Sequence, residues 1–299
     1  MKNMYDYSKV VKAMRDFFQE EKGFIEVPAQ SRQSILAACE DPATVSQYIF
    51  SGINWPLPQT GQMWLERDLL ENPNVEGVFC ITTSYRNEPN PVEGRHDKIF
   101  PMFEFESHGD MYDMIDLENE LLHHLGFNVF NTPGSKGNVQ VKAEFPEVTY
   151  DEACKTYGVD LLDYKEEEML CKDTKYGNCV FLKHFPLRTH PFWNMKHAGD
   201  GIYNKVDVIM HGMETIGSAE RAVDVQEMRD QFHNISDGEY ANLLYNHFGK
   251  KRVEDELEEY LALDMFERFG GGIGVTRMVS AIKNEEMSDG IQADIMKGE

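Results

Sequence analysis

Basic residues are scarce in this chain. Its 299 residues include 52 Asp and Glu but only 29 Lys and Arg, which gives a formal net charge of −23 at pH 7. A large nucleic-acid surface needs clustered cations that displace the counterions of the phosphates. The composition therefore disfavours nucleic acid as a partner, although it allows a local basic pocket, and it predicts long-range repulsion of polyanions.

Long apolar runs, a signal peptide and paired cysteines are also missing. No window approaches the roughly 18 uninterrupted apolar residues of a membrane span. The opening stretch MKNMYDYSKVVKAMRDFF lacks the apolar core and cleavage site of a signal peptide. The five cysteines are widely spaced, without a CxxC or a Cys/His zinc pattern. These absences predict a cytoplasmic protein without membrane contact, whose thiols are reduced and partly buried.

Apolar residues are abundant enough for a sizeable core. The sequence is 41% hydrophobic and 11% aromatic, which excludes disorder as a description of the whole chain. It shows no internal repeat and no low-complexity linker. We therefore expect a single domain over residues 1–299, with a small polar insertion at about 130–178.

Hydrophobic spacing predicts the main elements. A helix is expected over 8–22, followed by a short strand FIEVP, whereas 29–60 shows weak periodicity and is expected to form a long loop with a short helix near Ala37. Two strands, 77–86 and 100–106, flank a Pro/Gly loop and predict a long hairpin. The same reasoning predicts helices near 113–125, 225–232, 237–248 and 253–262, two short strands within 205–221, and a glycine-rich strand over 270–275 that enters a helix.

Cations and an aromatic residue surround the loop of the predicted hairpin. Arg86 and Glu88 lie two apart on the predicted strand and so share a face, whereas Arg95 and His96 lie in the loop. A strand arginine that faces loop cations can clamp a triphosphate, and Phe100 can stack on a purine. Taken singly, these residues are better explained as surface ion pairs on a hairpin, so the argument depends on the set.

The set resembles motif 2 of the class II aminoacyl-tRNA synthetases. In their aspartyl and asparaginyl subgroup, RHxxxF is followed by an acid, one residue and Glu. The matching positions in this chain are Arg95, His96, Phe100, Glu104 and Glu106. Ile99 departs from the pattern, because the subgroup usually carries Glu there for a contact near the adenine. The resemblance implies that ATP is bound by Arg86, Glu88, Arg95, His96 and Phe100.

The segment GGGIGVTRM (270–278) resembles motif 3 of the same family. Glycine has no Cβ, so the resemblance implies that ATP lies against the strand at Gly272 and Gly274. Arg277 would meet the phosphates from the side opposite Arg86, and these two arginines would be the catalytic residues. A lone glycine run is weak evidence, since flexible loops and tight packing produce it too, but its order and distance after motif 2 strengthen the match. Thr276 stands where an acid often precedes the arginine.

A third segment, VDVIMHGMETIGSAER (206–221), shares the Asp, Glu and Arg spacing of Asp- and Asn-specific synthetases. The resemblance implies that Asp207 and Glu214 hold Mg²⁺ on ATP, and that Ser218 and Arg221 bind the amino acid. Hard carboxylates suit Mg²⁺, and the guanidinium fork suits a carboxylate. The alternative is that these residues form a purely structural ion pair at a strand edge.

The segment TGQMWLE (60–66) resembles the asparaginyl-type SGQLxxE, with Leu65 in place of the lysine that reads aspartate in the aspartyl type. An ordinary amphipathic helix surface is the alternative explanation. Two substrate poses follow. Asparagine can enter side chain first, with Glu66 accepting from its amide and Arg221 donating to its oxygen, so that the α-carboxylate is activated. Aspartate can enter reversed, with Glu66 on the α-ammonium and Arg221 on the α-carboxylate, so that the β-carboxylate faces ATP. The implied amino-acid site comprises Glu40, Gln62, Glu66, Glu104, Ser218 and Arg221.

These resemblances predict an α+β fold of the class II synthetase type, an antiparallel sheet flanked by helices, in a homodimer. FFQEEKGFIEVPAQ resembles motif 1 and begins so early that no room is expected for an N-terminal anticodon-binding barrel. With the acidic charge, this makes tRNA an unlikely partner. The leading hypothesis is an asparagine synthetase resembling the archaeal type, which uses ATP, Mg²⁺, aspartate and ammonia. The alternatives are a truncated synthetase paralogue that activates the α-carboxylate of Asn or Asp for tRNA, a protein or a small amine, and a non-catalytic regulator.

Overall fold

The computed structural model describes residues 3–29, 32–38, 44–95, 97–134 and 137–289, with the backbone alone at 130–134, 137–140 and 286–289. The part before and including the long hairpin contains α1 (Met4–Arg15), a π-helical turn (Asp16–Glu21), β1 (Ile25–Glu26), β2 (Gln47–Phe50), β3 (Ile53–Pro56), α2 (Gln62–Glu71), β4 (Gly77–Tyr85) and β5 (Ile99–His108). The middle part contains α3 (Met111–His124), β6 (Val129–Gly134), β7 (Gly137–Lys142), β8 (Glu147–Thr149), α4 (Tyr150–Tyr157), α5 (Tyr164–Lys172) and β9 (Cys179–Pro186). The last part contains β10 (His197–Gly199), β11 (Ile202–Met210), β12 (Met213–Glu220), α6 (Val225–Asn234), α7 (Glu239–Phe248), α8 (Lys250–Leu261), β13 (Arg268–Gly274) and α9 (Val275–Asp289).

A central sheet organises the described residues. Its strands follow the order β1-β4-β5-β13-β12-β11-β9-β8, with β10 paired to β11. All neighbours are antiparallel except at the two ends, where β1 runs parallel to β4 and β8 parallel to β9. Helices flank this antiparallel core, so the predicted α+β architecture is confirmed.

One face of the sheet is apolar because the strands alternate. Phe79, Phe103 and Phe105 point to this face, where they pack with Phe18 after α1 and with Met114 of α3. All five side chains are buried. Helices α1, α3 and α9 thus cover one side of the sheet and leave its polar residues on the other.

The sequence predicted most elements within a few residues. The hairpin β4–β5, the helix α3, the pair β11–β12 and the strand β13 entering α9 all form. The prediction of a long loop over 29–60 was wrong, because β2 and β3 pair there across a two-residue turn at Ser51 and Gly52. Both turn residues have positive φ, 51° and 79°, as a tight hairpin turn requires.

The segment 130–178, predicted as an insertion, is joined to the sheet. Its β8 extends the sheet beside β9, while Tyr150 and Ala153 of α4 and Leu170 of α5 pack against that end in a small core of their own. Whether the segment is an insertion relative to other chains stays a prediction. In the part of the chain that is described, no helix has the length and apolarity that crossing a membrane would need.

Candidate functional site

Four residues lie side by side across the polar face of the sheet and form the floor of the candidate site, with a carboxylate at each end of the row. Glu104 of β5 pairs with Gly272 of β13, which pairs with Gly217 of β12, which pairs with Asp207 of β11. Residues opposed in register point to the same face, so two glycines expose bare backbone between the two acids. A ligand can therefore lie flat against the middle strands.

A cavity of about 220 Å³ lies over this floor. Ten of the sixteen predicted site residues line it: Gln62, Arg86, Glu88, Arg95, Phe100, Glu104, Glu214, Gly272, Gly274 and Arg277. Three guanidinium groups thus converge on one space although the chain carries a net charge of −23. Two predicted residues, Glu40 and His96, fall outside the described residues.

The predicted phosphate-binding arginines lie around the mouth of the hairpin. The guanidinium carbon of Arg86 is 5.5 Å from the centre of the Phe100 ring. Arg277 donates to the backbone carbonyl of Glu214 over 2.6 Å and to that of Arg95 over 3.4 Å. The prediction that Arg86 and Glu88 share a strand face was wrong. Strand β4 ends at Tyr85, and both residues lie in the following loop, which starts with a bond from the Arg86 amide to the Lys98 carbonyl.

Glu104 is a rigidly held carboxylate at one end of the floor. It accepts from the amide of Gly61 over 2.9 and 2.8 Å and from the hydroxyl groups of Thr60 and Thr82. Its exposed fraction is 1%. These donors fix the position of the carboxylate, which can attract a substrate ammonium.

Asp207 and Glu214 are brought together at the other end of the floor. A Cβ built on Gly217 would lie 2.7 Å from Glu214 Oε1 and 3.5 Å from Asp207 Oδ1, so both carboxylates face the same glycine-sized space. Lys205, two residues along β11, donates to Asp207. Burial raises the pKa of Asp207 to about 7, with Lys205 opposing the shift and Glu214 adding to it. Two hard oxygen donors that face one glycine-sized space fit Mg²⁺. Since the described residues hold no cluster of three metal-ligating side chains, an ion here would take further ligands from a bound substrate.

Glu66 and Arg221 lie outside the cavity lining, in a closed buried network. Arg221 donates to Glu106 over 2.5 Å through Nη2 and over 3.2 Å through Nε, and its Nε is 3.7 Å from Glu66. Glu66 accepts from Asn194, Tyr260 and Arg268 over 2.6, 2.6 and 2.7 Å. The two acids and two guanidiniums are each at most 2% exposed.

The network shifts the pKa values of its two acids in opposite directions. Burial acts to raise the pKa of Glu66, but Arg221, Arg268 and the bonds from Tyr260 and Arg268 outweigh it, so the pKa is lowered. Burial raises the pKa of Glu106 to about 8, and repulsion from Glu66 adds to the shift, whereas Arg221 opposes it. Glu66 is therefore the firmly ionised member of the pair.

Ser218 is not brought to the cavity. In the β12–β13 ladder it pairs with Gly271, and both share the apolar face with Phe105. Its hydroxyl donates to the carbonyl of Val206 over 3.3 Å. The structure thus places this predicted substrate-binding side chain on the face opposite Glu104 and Asp207, because strand residues alternate between faces.

Three network residues were missed from the sequence. Arg268 opens β13 just before the glycines, Tyr260 lies near the end of α8, and Asn194 lies in the FWNMK stretch. A signal was available only for Arg268, since an arginine at the head of a glycine strand has no apolar role there. Tyr260 and Asn194 look like ordinary helix and loop residues.

Arg95 links the hairpin loop to α5. Its Nη2 is 2.5 Å from Glu167 Oε2, its Nη1 donates to the carbonyl of Gly212 over 2.8 Å, and its guanidinium carbon is 5.4 Å from the centre of the Tyr164 ring. Burial raises the pKa of Glu167 to about 6, with Glu214 adding to the shift and Arg95 opposing it.

Comparison with known proteins identifies the family. The family described as tRNA synthetases class II (D, K and N) matches residues 1–291. A lysine–tRNA ligase of Rhizobium etli is 24% identical over 310 residues, which cover 93% of this chain and 60% of that protein. A lysylphosphatidylglycerol biosynthesis bifunctional protein of Gordonia bronchialis is 23% identical over 331 residues, 97% of this chain and 28% of that protein. This chain therefore spans about 60% of the length of the first curated relatives it matches.

Solved structures show the same fold. The asparaginyl-tRNA synthetase of Pyrococcus horikoshii complexed with asparaginyl-adenylate superposes with a TM-score of 0.70 at 21% identity, over 93% of this chain and 64% of that one. An aspartyl-tRNA synthetase of Entamoeba histolytica gives 0.65 at 18% identity, over 93% and 54%. The chain belongs to the class II tRNA synthetase family, as a catalytic domain of the D, K and N group.

Proposed function

We propose that this chain is an ATP-dependent amino-acid-activating ligase, and that it makes asparagine from aspartate, ATP and ammonia. The observation that carries the proposal is the cavity in which Arg86, Arg95 and Arg277 face a glycine floor that ends at the fixed carboxylate of Glu104. Three cations suit the triphosphate of ATP.

The first step joins the substrate carboxylate to AMP. A carboxylate oxygen attacks the α-phosphorus of ATP, the bond from this phosphorus to the bridging oxygen breaks, and pyrophosphate leaves with the electron pair. Arg86, Arg95 and Arg277 neutralise the departing charge, while Phe100 and the glycine strand hold the adenine. Asp207 and Glu214 would hold Mg²⁺, which supplies further charge neutralisation when bound. The residues thus act by positioning and electrostatics, without a side-chain nucleophile.

The second step releases AMP. Ammonia attacks the acyl carbon of the β-aspartyl adenylate, the bond to the phosphate oxygen breaks, and AMP and one proton leave as the amide forms. In this pose Glu66 holds the α-ammonium and Arg221 the α-carboxylate. Since both side chains are already paired in the network, substrate entry would have to exchange some of these internal bonds for bonds to the substrate.

A second candidate function is activation of the α-carboxylate of asparagine or aspartate for another acceptor. The likeness to a structure that contains asparaginyl-adenylate favours it. The net charge of −23 supports the ammonia-dependent reaction over transfer to tRNA. Lysine ligases are among the relatives, so lysine is a further amino acid to test. Family resemblance also predicts a homodimer.

Hydroxylamine trapping tests the proposal. The protein is incubated with ATP, Mg²⁺, hydroxylamine and one of aspartate, asparagine or lysine, and the hydroxamate is identified by mass spectrometry against α- and β-aspartyl standards. A β-aspartyl hydroxamate is expected. An α-hydroxamate would favour the second function, and none with any amino acid would favour a non-catalytic regulator. Arg277→Ala is the control, because an enzyme loses turnover when this cation is removed whereas a pure binding protein keeps its partner.

A further inference from the structure

We propose that Glu167 of α5 is a positioning residue for Arg95, so that the segment after β7 completes the nucleotide site. The inference rests on the proposed function only in taking Arg95 to bind the phosphates of ATP. It concerns how that arginine is held, which the family resemblance leaves unassigned.

The contacts around Arg95 fix its guanidinium from three sides. Glu167 accepts a hydrogen bond from Nη2, and the carbonyl of Gly212 accepts one from Nη1. The centre of the Tyr164 ring lies 5.4 Å from the guanidinium carbon. The Arg95 and Glu167 side chains are only 13% and 22% exposed. A partly buried charged pair of this kind restrains a side chain more strongly than a solvated surface pair does.

Arg95 also carries an unsatisfied donor. Its Nε is buried and has no hydrogen-bond partner in the described part of the chain, whereas both terminal nitrogens are engaged. Arg95 lines the cavity over the glycine floor. The bonds to Glu167 and Gly212 therefore use the terminal nitrogens of the guanidinium and leave the Nε–H for a ligand.

Glu167 acts on more than one cation. It attracts both Arg95 and Arg277, and the backbone carbonyl of Arg95 accepts from Arg277. The hairpin loop thus brings Arg95 and Arg277 together. The negative charge of Glu167 offsets the repulsion between their guanidiniums when no nucleotide is bound. Without this charge, the hairpin loop would lose the contact that holds Arg95 over the floor, and binding of ATP would have to order it.

Kinetics of Glu167→Gln test the role. We expect KM for ATP to rise about five- to tenfold and kcat to fall severalfold, with KM for the amino acid unchanged, because Arg95 would bind the phosphates of ATP and also neutralise the pyrophosphate as it leaves. Glu167→Asp keeps the charge and should recover part of the loss. Glu120→Gln is the matched control, since it removes one acid from an exposed ion pair with Lys22 far from the cavity.

Two results would overturn the inference. An unchanged KM for ATP in Glu167→Gln means that Arg95 holds its position without the acid, and a lowered KM means that Glu167 competes with the phosphates. If the wild-type chain forms no hydroxamate, the proposed function fails, and equilibrium dialysis of ATP against the same variants decides the inference alone. Weaker ATP binding by Glu167→Gln supports it, and equal or tighter binding refutes it.

Discussion

Arg268 Nη2 donates a hydrogen bond of 2.7 Å to Glu66 Oε2, and neither side chain has exposed surface. The pair joins the end of the glycine strand to α2, two elements that are about two hundred residues apart in sequence. Tyr260 donates to the same oxygen of Glu66 over 2.6 Å, and Arg221 and Glu106 form the second pair of the network. The network therefore holds two acids and two guanidiniums together, out of contact with solvent.

Removing one member of the Arg268–Glu66 pair should destabilise the fold strongly. Arg268→Met leaves Glu66 with less compensation, and Glu66→Gln leaves Arg268 without its anion, so each should lower the free energy of unfolding by about 3–5 kcal/mol. Tyr260→Phe removes two hydrogen bonds, one to Glu66 and one from Arg268, without removing a charge, and should cost about 1–3 kcal/mol.

Urea unfolding of the single variants and of the double variant measures this coupling. The double variant should lose much less than the two single losses together, because it leaves no unpaired charge. Strict additivity would show that the two residues do not depend on each other.

The glycine strand should tolerate alanine at one end and reject it at the other. A Cβ at Gly270 would overlap the buried Glu106 carboxylate that Arg221 holds, whereas a Cβ at Gly274 would lie at an ordinary 3.5 Å from Arg277 Cδ. Gly270→Ala should therefore cost several kcal/mol of stability and disturb the amino-acid side of the site, whereas Gly274→Ala should change stability by less than about 1 kcal/mol.

Thermal unfolding of the two alanine variants, with hydroxamate formation as the second readout, checks the contrast. The strand has no positive φ at either position, so only the space for a Cβ distinguishes them. Equal stability of both variants would mean that Glu106 can move without cost.

The sequence predicts the individual segments of the site better than the contacts between them. The hairpin, the glycine strand and the residues Arg86, Phe100 and Arg277 follow from local patterns. The network around Glu66 does not, because it depends on strand register and on the packing of α8. Ser218 shows the same limit, since the family resemblance implies that it accompanies Arg221, whereas strand alternation puts it on the opposite face. The β2–β3 hairpin was missed although Ser51-Gly52 is a turn pair, because the flanking strands are only four residues each.

Glu118 should make stability fall with rising pH. This residue of α3 is fully buried, and burial raises its pKa to about 8, with a hydrogen bond from Ser218 opposing the shift and Asp207 adding to it. Its pKa is higher in the folded chain than in the unfolded one. The stability that Glu118 contributes is therefore fully present below about pH 4.5, the pKa in the unfolded chain. It declines as the pH rises and is lost above about pH 8, the pKa in the folded chain.

Glu118→Gln should remove this dependence while it keeps the shape of the side chain. The stability of the variant relative to wild type should rise with pH by about 1.4 kcal/mol per unit, or on the order of 3 kcal/mol between pH 5.5 and 8. Urea unfolding at several pH values measures it, and Glu120→Gln, exposed on the same helix, is the control. Parallel curves for wild type and Glu118→Gln would contradict a raised pKa.

The two carboxylates over Gly217 should contribute unequally to the Mg²⁺ requirement. The Glu214 side chain is 42% exposed, lines the cavity and lies 3.8 Å from Arg277, whereas Asp207 is 11% exposed and already paired with Lys205. Glu214→Gln and Asp207→Asn are both isosteric and remove one charge. We expect the half-saturating Mg²⁺ concentration for hydroxamate formation to rise about tenfold in Glu214→Gln but only about two- to threefold in Asp207→Asn. An accessible carboxylate without a lysine partner attracts a cation more strongly than one whose charge is already neutralised.

Magnesium titrations at fixed ATP, with unfolding curves to exclude a loss of folded protein, compare the two variants. An equal or reversed order would show that Mg²⁺ displaces Lys205 from Asp207.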